Sequence, residues 1–256
     1  MTALYANGVV LLEDPEMVLL DKDGTIIDIH HYWASMIRLR ARLIVEQWFK
    51  GRTDADDVER SLIDAMGVDI SSGRMKPEGP VGVKPRPFIV GVAATTVSQS
   101  GVNMDDARME AIFAEIDRRT AEDLLPLLRL LPGVKDFLEG LRARRVAVAV
   151  VSTDITSRAA SAMQALGLAH YFSAIIGGDA VAHTKPAPDL AQAALTPNGC
   201  SPSRAAVIGD HPVDIQMGQN ASCAVNIAVL TGLSDADAFI GLECTLVDDL
   251  TQVTVR

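Results

Sequence analysis

Residues 17–26 are Met-Val-Leu-Leu-Asp-Lys-Asp-Gly-Thr-Ile, a short apolar segment that runs directly into two carboxylates. The apolar part is continuous rather than alternating, which predicts a strand buried on both faces of a parallel sheet. Ligands of open α/β sheets bind beyond the carboxyl ends of the strands, so Asp21 and Asp23 stand where chemistry is expected. A strand followed by an ordinary Asp-Gly turn explains the same residues equally well. The choice between these two interpretations depends on the other strands.

The composition predicts a soluble protein with one large domain, or with a core and a smaller insert. The chain has 256 residues, of which 48% are hydrophobic. Its formal net charge is -10, and no basic tract stands out, so nucleic acid and membranes are not expected as partners. The three cysteines match no metal-ligand or redox spacing, the first residues do not resemble a secretion signal, and no apolar run approaches the roughly 20 residues that span a bilayer. We therefore expect a cytoplasmic protein.

The first half of the chain has helical periodicity on either side of one long loop. Apolar spacing predicts helices over 26–50, 54–66, 88–99 and 104–125. Gly51 suits the end of the first helix, and Asp54 is the expected N-cap of the second. Residues 67–87 are rich in glycine and proline, and a loop of this length is a candidate for a functional role. Because no strand pattern occurs here, we predict an all-helical domain at 29–129, inserted into a domain formed by 1–28 and 130–256.

The second half alternates helices with apolar strands. Helices are predicted over 134–144, 155–166, 186–195 and 212–220, and strands over 146–151, 174–177, 205–209 and 224–229. Residues 245–247 fit a last edge strand, and residues 1–16 fit either an edge strand or a loop. Helices of this length between strands indicate βαβ units. The predicted fold class is α/β, a Rossmann-like, mostly parallel sheet with helices on both faces and an additional helical domain.

Four strand ends carry polar side chains. In chain order these are Asp21 with Asp23, Ser152 with Thr153, Lys185 just before a proline-initiated helix, and Asp210 with Asp214. Parallel strands end at the same edge of a sheet, so the four groups are expected to converge. Taken singly, each has an ordinary explanation, since serine and aspartate cap helices and a loop lysine is usually solvated.

Together, the four groups resemble the haloacid dehalogenase (HAD) superfamily, and within it the phosphatases whose helical cap follows the first motif. The matching motifs are Asp21-Lys-Asp-Gly-Thr25, Ser152-Thr153, Lys185-Pro186 and Gly209-Asp210-His-Pro-Val-Asp214. The resemblance extends over about 17–28 and 131–250, and Pro132-Gly-Val134 and Val229-Leu-Thr-Gly232 also recur in such enzymes. Any one motif is weak evidence, whereas four in the right order are strong evidence.

The resemblance implies a role for each group. Asp21 is the implied nucleophile, which forms an aspartyl-phosphate, and Asp23 is the implied general acid and base. Mg²⁺ is the implied cofactor, held by the Asp21 carboxylate, the Asp23 backbone carbonyl and Asp210, with Asp214 in support. Lys185 is expected to neutralise the phosphate and the nucleophile.

The remaining implied role is phosphate binding at the second group. The Ser152 hydroxyl and the Thr153 backbone N–H are expected to hold phosphoryl oxygens. Many relatives have asparagine in place of Thr153, so no side-chain role is expected for this threonine. Lys22, His30, His31, Lys84 and Arg86 are weaker candidates, for which surface, hinge or solvated positions explain the residue type at least as well.

The predicted function is therefore a Mg²⁺-dependent phosphatase for a small phosphorylated metabolite, acting as a monomer or homodimer. A phosphomutase of the same superfamily uses both aspartates too, and the sequence does not separate the two activities. A non-catalytic phosphate-binding module is a third possibility, against which the full set of acidic and basic residues argues.

Overall fold

The computed structural model describes residues 2–81, 84 and 86–256. Gly82, Val83 and Pro85 of the predicted loop 67–87 lie outside the described residues. Internal contacts divide the chain into two compact units. The core unit contains the residues up to 28 together with 128–256, and the helical unit contains 29–127.

The core unit is built on two sheets. Its strands are β1 (Ala3–Ala6), β2 (Val9–Glu13), β3 (Met17–Leu20), β4 (Ala147–Val151), β5 (Ala174–Ile176), β6 (Ala205–Gly209), β7 (Val225–Val229), β8 (Thr245–Val247) and β9 (Val253–Val255). Six of them form a sheet in the order β5-β4-β3-β6-β7-β8. Every neighbouring pair in this sheet is parallel, which confirms the predicted fold class.

Strand β3 lies in the middle of the parallel sheet, and its position explains its continuous apolar sequence. All four of its residues are buried. Met17 and Leu19 pack in one cluster with residues of the helices that follow β5 and β6, and Val18 and Leu20 are buried on the opposite face because side chains alternate along a strand. Leu20 pairs with Val150 of β4 and Ile208 of β6, so the three strands end at one edge.

Four helices of the core unit follow the predicted pattern. They are α5 (Val134–Ala143), α6 (Thr156–Ala165), α7 (Asp189–Leu195) and α8 (Pro212–Asn220). Helix α7 begins three residues later than the predicted 186–195. The residue before a proline is disfavoured in helical conformation, so Pro188 keeps residue 187 out of the helix. The Lys185–Pro186 peptide bond is cis.

The second sheet of the core unit was only partly predicted. Strands β1 and β2 form an antiparallel hairpin in the region 1–16, and β9 pairs with the other side of β1. The predicted edge strand at 245–247 is β8, at the edge of the parallel sheet. Strand β9 was not predicted, because three residues give too short a pattern to recognise.

The helical unit contains α1 (Ile29–Trp48), α2 (Ala55–Ala65), α3 (Arg86–Gln99) and α4 (Asp106–Glu122). Its described residues include no strand, and one isolated bridge joins Val68 to Met75. Helix α1 starts at Ile29 rather than at 26, because the backbone N–H groups of Ile26 and Ile27 close a turn onto the carbonyl of Lys22.

The predicted cap of α2 was wrong in one respect. Asp54 occupies the N-cap position, but its side chain makes no cap hydrogen bond and instead accepts from the guanidinium of Arg52 at 2.9 and 2.6 Å. Among the helices of the described ranges, none combines the length and the apolar character needed to cross a membrane.

Candidate functional site

Three buried carboxylates meet at the carboxyl edge of the parallel sheet. Asp21 directly follows β3, Asp210 directly follows β6, and Asp214 lies in the first turn of α8. One carboxylate oxygen from each residue lies within 4.8 Å of the other two. The sequence therefore folds two distant segments so that three acidic side chains share one buried space, which we call the acidic cluster.

Lys185 is the cation that the structure places in the acidic cluster. Its Nζ donates to Asp21 Oδ1 at 2.5 Å and lies 2.6 Å from Asp214 Oδ1, and its side chain is only 1% exposed. Burial alone would lower the pKa of Lys185, but the two carboxylates outweigh burial and hold that pKa above its ordinary value. Lys185 therefore stays charged, and one positive charge faces three carboxylates.

The excess of negative charge over Lys185 is reflected in raised pKa values of two of the carboxylic acids. Burial, opposed by Lys185 and reinforced by the charge of Asp214, raises the pKa of Asp21 to about 7. Burial and the charges of Asp21 and Asp214 raise the pKa of Asp210 well above its ordinary value. A divalent cation would remove this excess of negative charge, and carboxylate oxygens are the ligands that Mg²⁺ prefers. The acidic cluster thus fits the implied metal.

Two glycines make room for the Asp210 carboxylate. A Cβ atom on Gly232 would lie 1.6 Å from Asp210 Oδ2, and one on Gly24 would lie 2.4 Å from the same oxygen. The backbone N–H of Leu233 donates to this oxygen at 3.2 Å, and the Thr231 hydroxyl donates to the carbonyl of Gly24 at 2.5 Å. The turn after β7 therefore holds the turn after β3 against the acidic cluster. The sequence pattern indicates the segment 229–232 but predicts no role for it.

Asp23 lies beside the acidic cluster, but its carboxylate engages a residue that sequence analysis left without a role. The Nζ atom of Lys22 lies 2.7 Å from both carboxylate oxygens of Asp23. It also lies 3.3 Å from Asp154 Oδ2, beyond the end of β4. The Lys22 side chain is 0% exposed, whereas that of Asp23 is 15% exposed.

The second polar group lies at the end of β4, the strand next to β3. Ser152 is buried, its N–H donates to the carbonyl of Ile176 at 3.0 Å, and its hydroxyl accepts from the N–H of Asp154 at 3.1 Å. Thr153 is exposed. The alternative that Ser152 caps α6 is not observed, because Ile155 occupies the N-cap position.

The weaker candidates of the helical unit have contacts within that unit. His30 Nδ1 accepts from the N–H of Met75 at 3.2 Å, and His31 Nε2 lies 3.3 Å from the carbonyl oxygen of Pro126. Arg86 is ion-paired with Glu110 at 2.7 Å and with Asp117 at 2.5 Å, so it is not a solvated loop cation.

Sequence comparisons relate the chain to one family of hydrolases. Residues 15–222 match the family model of haloacid dehalogenase-like hydrolases. A probable phosphatase of Dickeya dadantii is 28% identical over 57% of this chain and 64% of its own length. A phosphoglycolate phosphatase of Pasteurella multocida is 30% identical over 54% of this chain and 62% of its own length. The chain thus spans less than two thirds of the length of these curated relatives.

Solved structures share the fold. A crystal structure described as a predicted phosphoglycolate phosphatase from Haemophilus somnus has a TM-score of 0.67 at 20% identity, covering 93% of this chain and 96% of its own. CbbY from Rhodobacter sphaeroides, solved with phosphate, has a TM-score of 0.59 at 20% identity with the same coverage of 93% and 96%. At these identities, the likeness concerns the fold alone.

Proposed function

Since this chain belongs to the haloacid dehalogenase-like hydrolases, we propose that it is a Mg²⁺-dependent phosphatase that forms an aspartyl-phosphate on Asp21. The observation that carries the proposal is the acidic cluster, in which Asp21, Asp210 and Asp214 are buried around Lys185. A nucleophilic carboxylate beside a fixed ammonium and a surplus of oxygen ligands is suited to phosphoryl transfer. The phosphatase names of the curated relatives support the same class of reaction.

The metal would be held by the Asp21 carboxylate, the Asp23 backbone carbonyl and the Asp210 carboxylate, with Asp214 supporting them directly or through water. When bound, Mg²⁺ neutralises the charge of the phosphate dianion, which otherwise repels an attacking carboxylate. The close packing of Gly24 and Gly232 around Asp210 keeps that carboxylate in place for this role.

In the first step, a carboxylate oxygen of Asp21 attacks phosphorus, and the bond between phosphorus and the leaving oxygen breaks. Asp23 gives its proton to that oxygen, so the alcohol product leaves neutral. Lys185 neutralises the transferred phosphoryl group, and the Ser152 hydroxyl and the Thr153 N–H bind its oxygens. In the second step, Asp23 takes a proton from a water molecule that attacks the aspartyl-phosphate, which releases inorganic phosphate and restores Asp21.

The proposed substrate is a small phosphorylated metabolite, with the segment 29–129 acting as a cap that excludes bulk water from the reaction. The curated relatives carry different substrate names, a phosphoglycolate phosphatase and a pyrophosphatase among them. Both of these substrates therefore belong in the test of the proposal. The acidic net charge of -10 supports a small-molecule substrate over nucleic acid. We further propose a cytoplasmic location and a monomeric or homodimeric state.

The test is release of inorganic phosphate from p-nitrophenyl phosphate, 2-phosphoglycolate, pyrophosphate and a panel of sugar phosphates, with Mg²⁺ or with EDTA. We expect turnover with Mg²⁺ only, and a loss of roughly 10³-fold or more in Asp21→Asn. Asp136→Asn, which changes an exposed aspartate of α5, is the matched control and should retain activity.

Three outcomes would contradict the proposal. Comparable turnover by Asp21→Asn would remove Asp21 from the nucleophilic role. Transfer of the phosphoryl group between positions of a sugar, without net release of phosphate, would indicate a phosphomutase. Mg²⁺-dependent binding of phosphate with no turnover of any substrate by the folded protein would indicate a binding module.

A further inference from the structure

Lys22 is a fully buried cation that the proposed reaction does not use. In the sequence it stands between Asp21 and Asp23, and none of its side chain is exposed to solvent. Removing an ammonium group from water is energetically unfavourable, and one partner of a buried ion pair is strongly destabilising if the other is removed. An apolar residue at the end of the buried strand β3 would avoid this cost. The presence of lysine therefore needs an explanation in terms of its contacts.

Lys22 contacts both oxygens of the Asp23 carboxylate. Its Nζ atom lies 2.7 Å from Oδ1 and 2.7 Å from Oδ2, so both oxygens share one donor group. A carboxylate held through both oxygens loses the freedom to rotate about its terminal bond. A backbone turn supports this contact. The carbonyl of Lys22 accepts from the N–H groups of Ile26 and Ile27, and the turn brings the side chains of Lys22 and Asp23 together.

Lys22 is itself fixed from the neighbouring strand. Its Nζ lies 3.3 Å from Asp154 Oδ2, and the Asp154 side chain is 7% exposed. Asp154 Oδ1 accepts from the N–H of Ile155 at 2.8 Å and from Arg158 of α6 at 2.9 Å. Charges of opposite sign thus alternate from Arg158 through Asp154 and Lys22 to Asp23. Helix α6 and the end of β4 anchor this chain of ion pairs, which terminates on Asp23.

We propose that Lys22 is a positioning residue, which holds the Asp23 carboxylate in the orientation that delivers a proton to the leaving oxygen. This inference rests on the proposed function. A general acid must lie within hydrogen-bond reach of the atom that it protonates, and a misplacement of about 1 Å can cost about 10²-fold in rate. The competing explanation is that Lys22 only ties the ends of β3 and β4 together. The two explanations predict different effects of the leaving group.

The experiment compares two substrates in Lys22→Met, which replaces the ammonium with an apolar group of similar length. p-Nitrophenolate leaves without protonation, whereas the alkoxide of glycerol 1-phosphate needs a proton from the acid. Values of kcat/KM report formation of the aspartyl-phosphate, the step that uses this proton. We expect kcat/KM for glycerol 1-phosphate to fall at least about 10-fold more than kcat/KM for p-nitrophenyl phosphate, within the range of general acid catalysis. Lys135→Met, at an exposed site of α5, should change neither value.

A double-mutant cycle with Asp23→Asn identifies the residue through which Lys22 acts. If Lys22 works through Asp23, Lys22→Met should change kcat/KM less than about 3-fold once Asp23 is asparagine. Equal losses on the two substrates, or a full additional loss in the double variant, would overturn the proposal and leave Lys22 a structural tie. An active wild-type enzyme with a wild-type-like Lys22→Met would overturn this proposal alone, whereas an inactive wild type would defeat the proposed function.

Asp154→Asn tests the same arrangement if Lys22→Met does not fold. This variant keeps the shape of the side chain but removes the charge that anchors Lys22. We expect the same dependence on the leaving group at a smaller size, roughly 3-fold to 10-fold, because Lys22 keeps its contact with Asp23 but loses its anchor. An equal effect of Asp154→Asn on both substrates would overturn the proposal.

Discussion

The charges around Lys185 determine how the acidic cluster behaves. Asp21 and Asp214 both contact its Nζ, while Asp210 is held by the N–H of Leu233 instead. A cation that bridges two buried carboxylates stabilises both, and its removal leaves them without compensation. Lys185 therefore has a structural role that is separable from its proposed role toward phosphate.

We predict that Lys185→Met loses both activity and stability. With EDTA at pH 8, the free energy of unfolding should fall by about 3–5 kcal/mol, the usual effect of breaking a buried ion pair. At pH 5 the loss should be smaller, because the carboxylates can take up protons instead. Urea unfolding at the two pH values checks this, with Lys135→Met as the exposed control. Equal stability of Lys185→Met and the wild type at pH 8 would show that the ion pairs of Lys185 with Asp21 and Asp214 do not stabilise the fold.

At the scale of single residues, the residue types of the site were more predictable from the sequence than their contacts. Parallel strand ends bring Asp21 and Asp210 to one edge, and this follows from topology alone. The fixation of Asp210 by Gly24 and Gly232 does not follow from the topology. It depends on how closely the turn after β7 approaches the Asp210 carboxylate. The proposed role of Lys22 was also missed. Side chains of adjacent residues point to opposite faces of a strand, and those of Lys22 and Asp23 meet only because a turn follows β3.

The turn after β7 is the element on which the geometry of Asp210 depends. The hypothetical Cβ of Gly232 would lie 1.6 Å from Asp210 Oδ2 and 2.2 Å from its Cγ. The backbone of Gly232 is not in the left-handed region, so alanine is excluded by space rather than by φ. Any side chain at this position must push the carboxylate of Asp210 away from the acidic cluster.

We predict that Gly232→Ala weakens Mg²⁺ binding by about 10-fold to 100-fold, the usual effect of disturbing the groups around metal ligands. The concentration of Mg²⁺ that gives half-maximal activity, and calorimetric titration of the free enzyme, measure this effect. Gly140→Ala is the control, because a Cβ at this helical position meets nothing within 4 Å. Unchanged Mg²⁺ affinity in Gly232→Ala would show that Asp210 is not a ligand.

Most elements of the chain were predictable because their patterns are local. The apolar runs of β3, β4 and β6 and the periodic helices α5 and α8 begin and end within two residues of their predicted limits. The start of α7 was missed by three residues because the conformation near Pro186 and Pro188 depends on more than periodicity. The antiparallel sheet was not predicted as a sheet, since the pairing of β1 with β9 joins opposite ends of the sequence.

For the whole molecule, the raised pKa values of the acidic cluster couple stability to pH. The folded state holds a proton on Asp21 up to about pH 7, whereas the unfolded chain releases it near its ordinary value of 3.8. Between these limits the folded state binds more protons, so the free energy of unfolding decreases as pH rises. Asp69 and Glu115, whose pKa values are lowered to about 2 from 3.8 and 4.5, act in the opposite direction, but only below about pH 4.5.

We therefore predict that the metal-free protein loses stability between pH 5 and pH 8. Saturating Mg²⁺ should raise the unfolding temperature more at pH 8 than at pH 5, because the metal binds the deprotonated carboxylates. Thermal unfolding with EDTA and with Mg²⁺ at both pH values checks this. In Asp21→Asn the pH dependence should be shallower, and a wild-type slope in that variant would assign the effect to other groups.

The pairing of β1 with β9 constrains how a newly made chain reaches its folded state. Ala3 and Arg256 exchange backbone hydrogen bonds of 2.8 and 3.0 Å, and nearly the whole sequence separates them. The ribosome produces β9 some 250 codons after β1, so the hairpin of β1 and β2 waits through that interval for its third strand. Residues 29–127 are contiguous, and they can acquire their helices while the central sheet still lacks most of its strands. The order of synthesis thus completes the antiparallel sheet only after every strand of the parallel sheet has been made.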